Sequence, residues 1–157
     1  MKIRLLVIGK TSSKALVELE LTYQNRLSHY LTYERVELPD VKQAASFTPE
    51  QLKEKEASLF LTKISSDHHV ILLDENGHEF SSESFARLLS NHCLHSSKTL
   101  TFCIGGAFGF APSMYERANA KLALSKMTFS HQMVRTIFLE QLYRACTINK
   151  GEKYHHS

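Results

Sequence analysis

The run Lys98-Thr99-Leu100-Thr101-Phe102-Cys103-Ile104-Gly105-Gly106-Ala107-Phe108-Gly109 passes from a short apolar stretch directly into a loop with three glycines. Such a stretch predicts a buried strand, Lys98 to Ile104, whose carboxyl end opens on backbone that a ligand can approach closely. In open α/β sheets ligands bind at that edge. The spacing is neither a dinucleotide fingerprint nor a phosphate-binding loop, because the lysine and hydroxyl at the required offsets are missing. A tight turn accounts for the glycines equally well. If the loop does hold a ligand, a side chain at Gly105 is expected to fill the ligand's space and strain the backbone.

Working outward, the neighbouring segments alternate strand and helix. Lys2 to Ile8 is an apolar run closed by Gly9, and Ser13 to His29 repeats its apolar residues at steps of three and four. Tyr33 to Leu38 reads as a strand stopped by Pro39-Asp40. Thr48-Pro49-Glu50-Gln51 has the residues of a capping box with proline at the first helical position, and the helix is expected to run to about Ile64. Asp67 to Leu73 follows as a strand, ended by the turn signal Asp74-Glu75-Asn76-Gly77, and Ser81 to His95 as a helix. Beyond the glycine loop come a short helix from Pro112 to Ala118, a weak strand from Ala120 to Leu124, and a long helix from Ser130 to Asn149 capped by Ser130. The alternation implies an α/β fold with a mainly parallel sheet flanked by helices, in a single domain over residues 1–157.

Composition narrows the setting. The 157 residues are 43% hydrophobic and 22% charged, ordinary for a folded chain, and no apolar stretch approaches the roughly 20 residues a membrane span requires. The N-terminus lacks the uninterrupted apolar region of a signal peptide, and three widely spaced cysteines argue against a disulfide framework. The expected compartment is the cytoplasm. A net charge of +3 permits nucleic-acid binding without demanding it. His92, Cys93 and His95 match no standard zinc spacing, so no metal is expected.

Two further segments carry side chains with chemical potential. Leu124-Ser125-Lys126-Met127-Thr128-Phe129 joins the weak strand to the last helix without a clear period and leads to His131 at the helix start. The tail Lys150 to Ser157 sets Tyr154, which can stack on a base, beside His155, His156 and Lys153, which can meet phosphates.

Together these segments resemble the RlmH family, small methyltransferases of the SPOUT superfamily that act on the large ribosomal subunit. The likeness covers the whole chain. It rests on Met1-Lys2-Ile3 with Val7-Ile8-Gly9-Lys10, and on Ile104-Gly105-Gly106 with Gly109. Leu124 to Phe129 with His131-Gln132-Met133 and Arg135 belong to it, as do Glu140-Gln141 with Tyr143-Arg144-Ala145 and the final Gly151-Glu152 with Tyr154-His155. The resemblance implies a SPOUT-type α/β knot, with a C-terminal trefoil knot through which the last helix threads. It implies S-adenosylmethionine as cofactor, contacted by Leu73, Gly105, Leu124, Ser125, Lys126, Met127, Thr128 and Phe129. It implies methylation of N3 of a pseudouridine in 23S ribosomal RNA, in the large subunit or assembled ribosome, by a homodimer whose sites draw on two subunits. The chain departs from the family pattern at Ala107-Phe108, which leaves the glycine loop without an acidic side chain, and at Ser130, where proline is common.

Displacement at a sulfonium methyl needs the acceptor nitrogen in line, and loss of a weakly acidic N3 proton is helped by a neutral histidine or a nearby cation. The resemblance marks Arg144, Tyr154 and His155 as catalytic candidates, and this chemistry suggests their roles, with Arg144 and His155 aiding proton loss, Tyr154 as a stacking partner and His131 as a lesser choice. The apolar face from Val134 to Ala145 is expected to contribute to the dimer interface. Two other readings fit the bare residues: a ribosome-associated module that binds S-adenosylmethionine or a nucleotide without catalysis, and a nucleotide hydrolase that uses the glycine loop as a phosphate cradle.

Overall fold

The computed structural model describes residues 2–96 and 98–156. Five parallel strands lie in the order β2-β1-β4-β3-β5: β1 Lys2–Ile8, β2 Thr32–Leu38, β3 His68–Glu79, β4 Thr99–Ile104 and β5 Ala120–Ala123. Helices α1 (Lys14–Leu27), α2 (Pro49–Leu61), α3 (Ser82–His95), α4 (Pro112–Arg117) and α5 (Met133–Asn149) connect and cover them. A parallel sheet buried on both faces needs apolar residues at consecutive positions, and the strands show how they are divided. Leu5, Val7, Leu100, Phe102, Ile104 and Ile71 pack with Leu27 of α1, Phe85 and Leu89 of α3, and Phe138 and Leu142 of α5. The intervening Leu6, Ile8, Val70, Leu72 and Cys103 face Phe60 of α2 and Met114 of α4. Complete burial of Phe102 alone stabilises the fold by about 2–3 kcal/mol.

The expected capping box forms. Thr48 Oγ1 accepts from Gln51 N at 3.2 Å while Gln51 Oε1 accepts from Thr48 N at 3.0 Å. The helix it starts ends at Leu61 rather than Ile64, because the last residues tighten into turns from Lys63 N to the Phe60 carbonyl and from Ile64 N to the Leu61 carbonyl. A single 3-10 turn at Ala44–Ser46, which sequence periodicity does not signal, precedes α2.

Two boundaries differ more consequentially. β3 does not stop at the Asp74-Glu75-Asn76-Gly77 signal. After an irregularity it resumes, and His78 and Glu79 pair with Leu122 and Ala123. Gly77 allows this, since a Cβ there would lie 2.6 Å from the Leu122 carbonyl carbon. At the other boundary α5 begins at Met133, three residues after Ser130, yet Ser130 Oγ still accepts from Met133 N at 3.2 Å. The apolar face of α5 lies in the chain's own core: Phe138, Leu142 and Ala145 are buried against the sheet and against α1 and α3. That face therefore gives no argument for a dimer interface.

Arg135 anchors α5 in place. It is fully buried (0% exposed), and its guanidinium donates to the carbonyls of Ile8 and Gly9 and, at 3.1 Å, to Thr11 Oγ1. Thr11 in turn donates to the buried Glu20 at 2.8 Å, and Glu20 is paired with Arg35. The start of the last helix is thus fixed to the carboxyl end of the first strand.

Candidate active site

The carboxyl ends of β3, β4 and β5 open on one cleft of about 470 Å3. Its floor is Leu73, Ile104, Leu122 and Val134. The first wall is the glycine loop, closed by a bridge in which Gly109 N donates to the Gly106 carbonyl at 3.2 Å and Gly109 takes a left-handed φ of 80°. No acid lies within the loop, but one braces it from behind. The buried Glu56 of α2 accepts from Gly106 N at 3.3 Å, and a Cβ on Gly106 would meet Glu56 Oε1 at 2.4 Å. Burial raises the Glu56 carboxyl above its ordinary value.

Gly105 serves differently from the expectation. It does not take the left-handed conformation, and a Cβ there would point at Gly109 O at 3.1 Å and the Phe110 ring, against the returning arm of the loop. A side chain at Gly105 deforms the wall and does not strain the backbone.

The second wall is the irregular part of β3. Asp74 Oδ1 accepts from Asn76 N at 2.8 Å, and its other oxygen accepts from the Tyr115 hydroxyl of α4. Burial, together with that bond, pushes the Tyr115 hydroxyl up to about 12. The third wall is the segment after β5, where Met127 N donates to Ser125 Oγ at 2.9 Å and Thr128 Oγ1 donates to Glu75 at 2.7 Å, tying two walls together. Phe108 (55% exposed) and Met127 (77%) leave an apolar rim.

Of the residues expected around a cofactor, Leu73, Gly105, Leu124, Ser125, Met127, Thr128 and Phe129 line this cleft, and Lys126 is exposed outside it. His131 lines it too. Asp74, Glu75, Phe110 and Tyr115 also line the cleft, with no signal in the sequence that places them there. The first two read as turn residues, and Tyr115 gains its role only because α4 packs beside β3.

Arg144, Tyr154 and His155 converge as a group of their own. The Arg144 guanidinium lies 4.7 Å from the Tyr154 ring centroid and is paired with Glu140, and the Tyr154 hydroxyl donates to Glu140 at 2.9 Å. His155 Nε2 donates to Glu83 of α3 at 2.8 Å while Nδ1 accepts from Arg144 at 3.5 Å, which selects the Nε2-H tautomer. That hydrogen bond holds the Glu83 carboxyl well below the usual carboxylate range. The tail up to His155 is docked against its own chain. Gly151, with φ 68°, donates to the Ile148 carbonyl while Glu152 N donates to the Thr147 carbonyl, a Schellman turn that sends the chain back along α5. Tyr154 then packs edge-on against Tyr143 at 4.7 Å.

Within one chain this group is not part of the cleft. Arg144 is ten positions beyond Val134, which at about 1.5 Å per residue sets it about 15 Å away along the helix axis. Among the described residues no group of three or more His, Cys, Asp or Glu side chains converges as a metal site, and no helix is long and apolar enough to cross a membrane. Also among the described residues, no lysine or arginine lines the cleft, so a polyphosphate would find no cation there.

Comparison with known proteins agrees with this architecture. A family model described as "Predicted SPOUT methyltransferase" matches residues 1–155. The chain is 49% identical over 156 residues to the ribosomal RNA large subunit methyltransferase H of Christiangramia forsetii, covering 99% of each chain. It is 46% identical to the protein of that name from Parabacteroides distasonis, again over 99% of both. Among solved structures, a probable methylase family protein from Haemophilus influenzae aligns with 99% of this chain and 70% of its own length at a TM-score of 0.52 and 14% identity, a likeness of fold.

Proposed function

The chain belongs to the SPOUT methyltransferase family, and from that premise we propose that it methylates large-subunit ribosomal RNA with S-adenosylmethionine, at N3 of a pseudouridine. The observation that carries the proposal is the three-walled cleft at the carboxyl edge of the sheet. Its volume lies within the range of small-molecule sites, its floor is apolar, and glycine-loop backbone and small polar side chains supply hydrogen bonds along its walls. Leu73, Gly105, Leu124, Ser125, Met127, Thr128 and Phe129 would hold the cofactor; Lys126, outside the cleft, would not.

When bound, the cofactor supplies a methyl group on positively charged sulfur. The protein's part is to place the acceptor nitrogen in line and to ease loss of its proton. In this chain His131 is the histidine beside the cleft. Arg144 lies too far along α5 to reach the same cleft, and Tyr154 and His155 pack beside it, so the proposal includes a homodimer in which one subunit's cleft is completed by the partner's tail group. There Arg144 would stabilise negative charge on the ionised base and Tyr154 would stack on RNA. His155 has its proton and lone pair engaged with Glu83 and Arg144, so we assign it to positioning Arg144 and not to proton removal.

The C-terminal trefoil knot belongs to the same reading. The segment after the edge strand β5 crosses the carboxyl ends of β3 and β4 before α5 lies down between α1 and α3. The whole chain would act as one such domain, in the cytoplasm where ribosomes are. Mass mapping of 23S ribosomal RNA from a strain lacking the protein tests the function: the pseudouridine should lose one methyl mass and regain it when purified protein and S-adenosylmethionine are added to those ribosomes. Unchanged RNA mass in that strain would overturn it.

A further inference from the structure

The cleft carries a charge pattern that cofactor-sized space alone does not require. The chain has 19 lysines and arginines against 16 aspartates and glutamates. Its cleft nevertheless presents, among the described residues, two carboxylates and no basic side chain other than His131. Both carboxylates are held in place. Asp74, half-buried, is bonded to Asn76 N and to the Tyr115 hydroxyl, and Glu75 is bonded to Thr128 across the mouth. Each of these partners is an uncharged donor, so neither carboxylate is neutralised by its bonds. Tyr115 stays protonated across the physiological range, and Lys121, whose ammonium lies 5.6 Å from the Tyr115 ring centroid, is not a lining residue.

We propose that Asp74 and Glu75 make the cleft selective for the positive charge of the sulfonium cofactor, so that affinity falls when methyl transfer leaves the uncharged thioether. The inference rests on the methyltransferase reading and adds to it a means of product release. The sulfonium and thioether forms share the adenosine and amino-acid parts, so contacts to those parts bind both alike and cannot tell them apart. A carboxylate about 6 Å from the cationic centre, at an effective dielectric constant between about 20 and 80, favours the charged form by roughly three- to a hundredfold. Tenfold is the central expectation.

Calorimetry on the full chain with three compounds tests this: S-adenosylmethionine, S-adenosylhomocysteine, and sinefungin, in which an amine-bearing carbon replaces the methylsulfonium and carries a positive charge. The wild-type protein should bind both cations about tenfold more tightly than the thioether. The double variant Asp74→Asn, Glu75→Gln keeps an acceptor oxygen for Tyr115 and Thr128. It should bring the three affinities within about twofold of one another, mainly by loss of binding to the two cations. A folded double variant that keeps the wild-type ratio overturns the proposal. If the double variant does not fold, the wild type decides, because sinefungin binding no tighter than the thioether overturns it as well. Wild-type protein that binds none of the three overturns the cofactor reading underneath.

Discussion

Arg135 shows how much one residue can hold and how little of that its surroundings in sequence reveal. Within a helix of mixed character a single arginine reads as a surface residue, and here it stood out only as part of a family likeness. The structure buries it completely, with its guanidinium donating to the carbonyls of Ile8, the last residue of β1, and of Gly9 just beyond it. Arg135→Met leaves those two carbonyls without the guanidinium and Thr11 with Arg35 alone as donor, and should lower unfolding free energy by about 3 kcal/mol. Arg135→Lys should restore less than half, since one ammonium cannot serve partners arranged for a planar fork. Urea midpoints of the three proteins give the comparison. Glu56 works in the opposite sense. Its carboxyl is raised in the folded protein, so the fold favours the protonated form, and the stability this contributes is lost as pH rises through the raised value. Glu56→Gln, which stays neutral and keeps an acceptor for Gly106, should therefore melt higher than wild type at pH 7. The gap should close towards pH 4. A constant gap across that range would show that the carboxyl is not strained by burial.

At the scale of elements, legibility followed locality. The capping box at Thr48 and Gln51 is complete within four residues and reads correctly. The Asp74 to Gly77 signal is just as local, yet it reads as a stop where the strand resumes. The continuation of β3 depends on pairing with β5 more than forty residues later, and that pairing is what turned Asp74 and Glu75 into cleft residues. The place of the glycine loop at a strand's carboxyl end is legible, and it does line a cleft, but which glycine is hemmed in is not legible, since Glu56 comes from α2. Gly106→Ala places a carbon on the Glu56 carboxylate and should weaken cofactor binding at least tenfold, whereas Glu56→Ala in the same chain should recover most of the loss. Gly105→Ala, with 3.1 Å of room, should do less. Additive losses in calorimetry would contradict this brace. The tail gives a separate test. Truncation after Gly151 removes Tyr154 and His155, and should abolish methylation of purified ribosomes while cofactor affinity stays within about twofold. Lost cofactor binding would show that the tail helps to hold the cofactor and would overturn its assignment to RNA alone.

At the scale of the molecule, the sheet order and its helical layers bring the cleft together in one chain and leave Arg144 at a distance, so the proposed homodimer is a question of stoichiometry. Equimolar mixing of Gly106→Val subunits, deficient in the cofactor loop, with Arg144→Ala subunits should produce about half mixed dimers, each with one complete site of two. About a quarter of wild-type activity should return, from two inactive proteins. No recovery after verified exchange of subunits would argue for sites built within single chains. The apolar face of α5 does not decide this point, because amphipathic periodicity reports burial without reporting whose surface does the burying, and Phe138, Leu142 and Ala145 are buried in the chain's own core. The bond from Arg135 to Gly9 has one more consequence, in time. It joins positions 126 residues apart, so at roughly 5–20 residues per second the first strand's open carbonyls wait on the order of ten seconds for their donor to be synthesised. An enzyme proposed to modify ribosomes is thus a late-maturing product of one. Its nascent chain exposes a strand end and an uncovered sheet face through most of translation, and its birth is a window for chaperone capture that closes only when the last helix emerges.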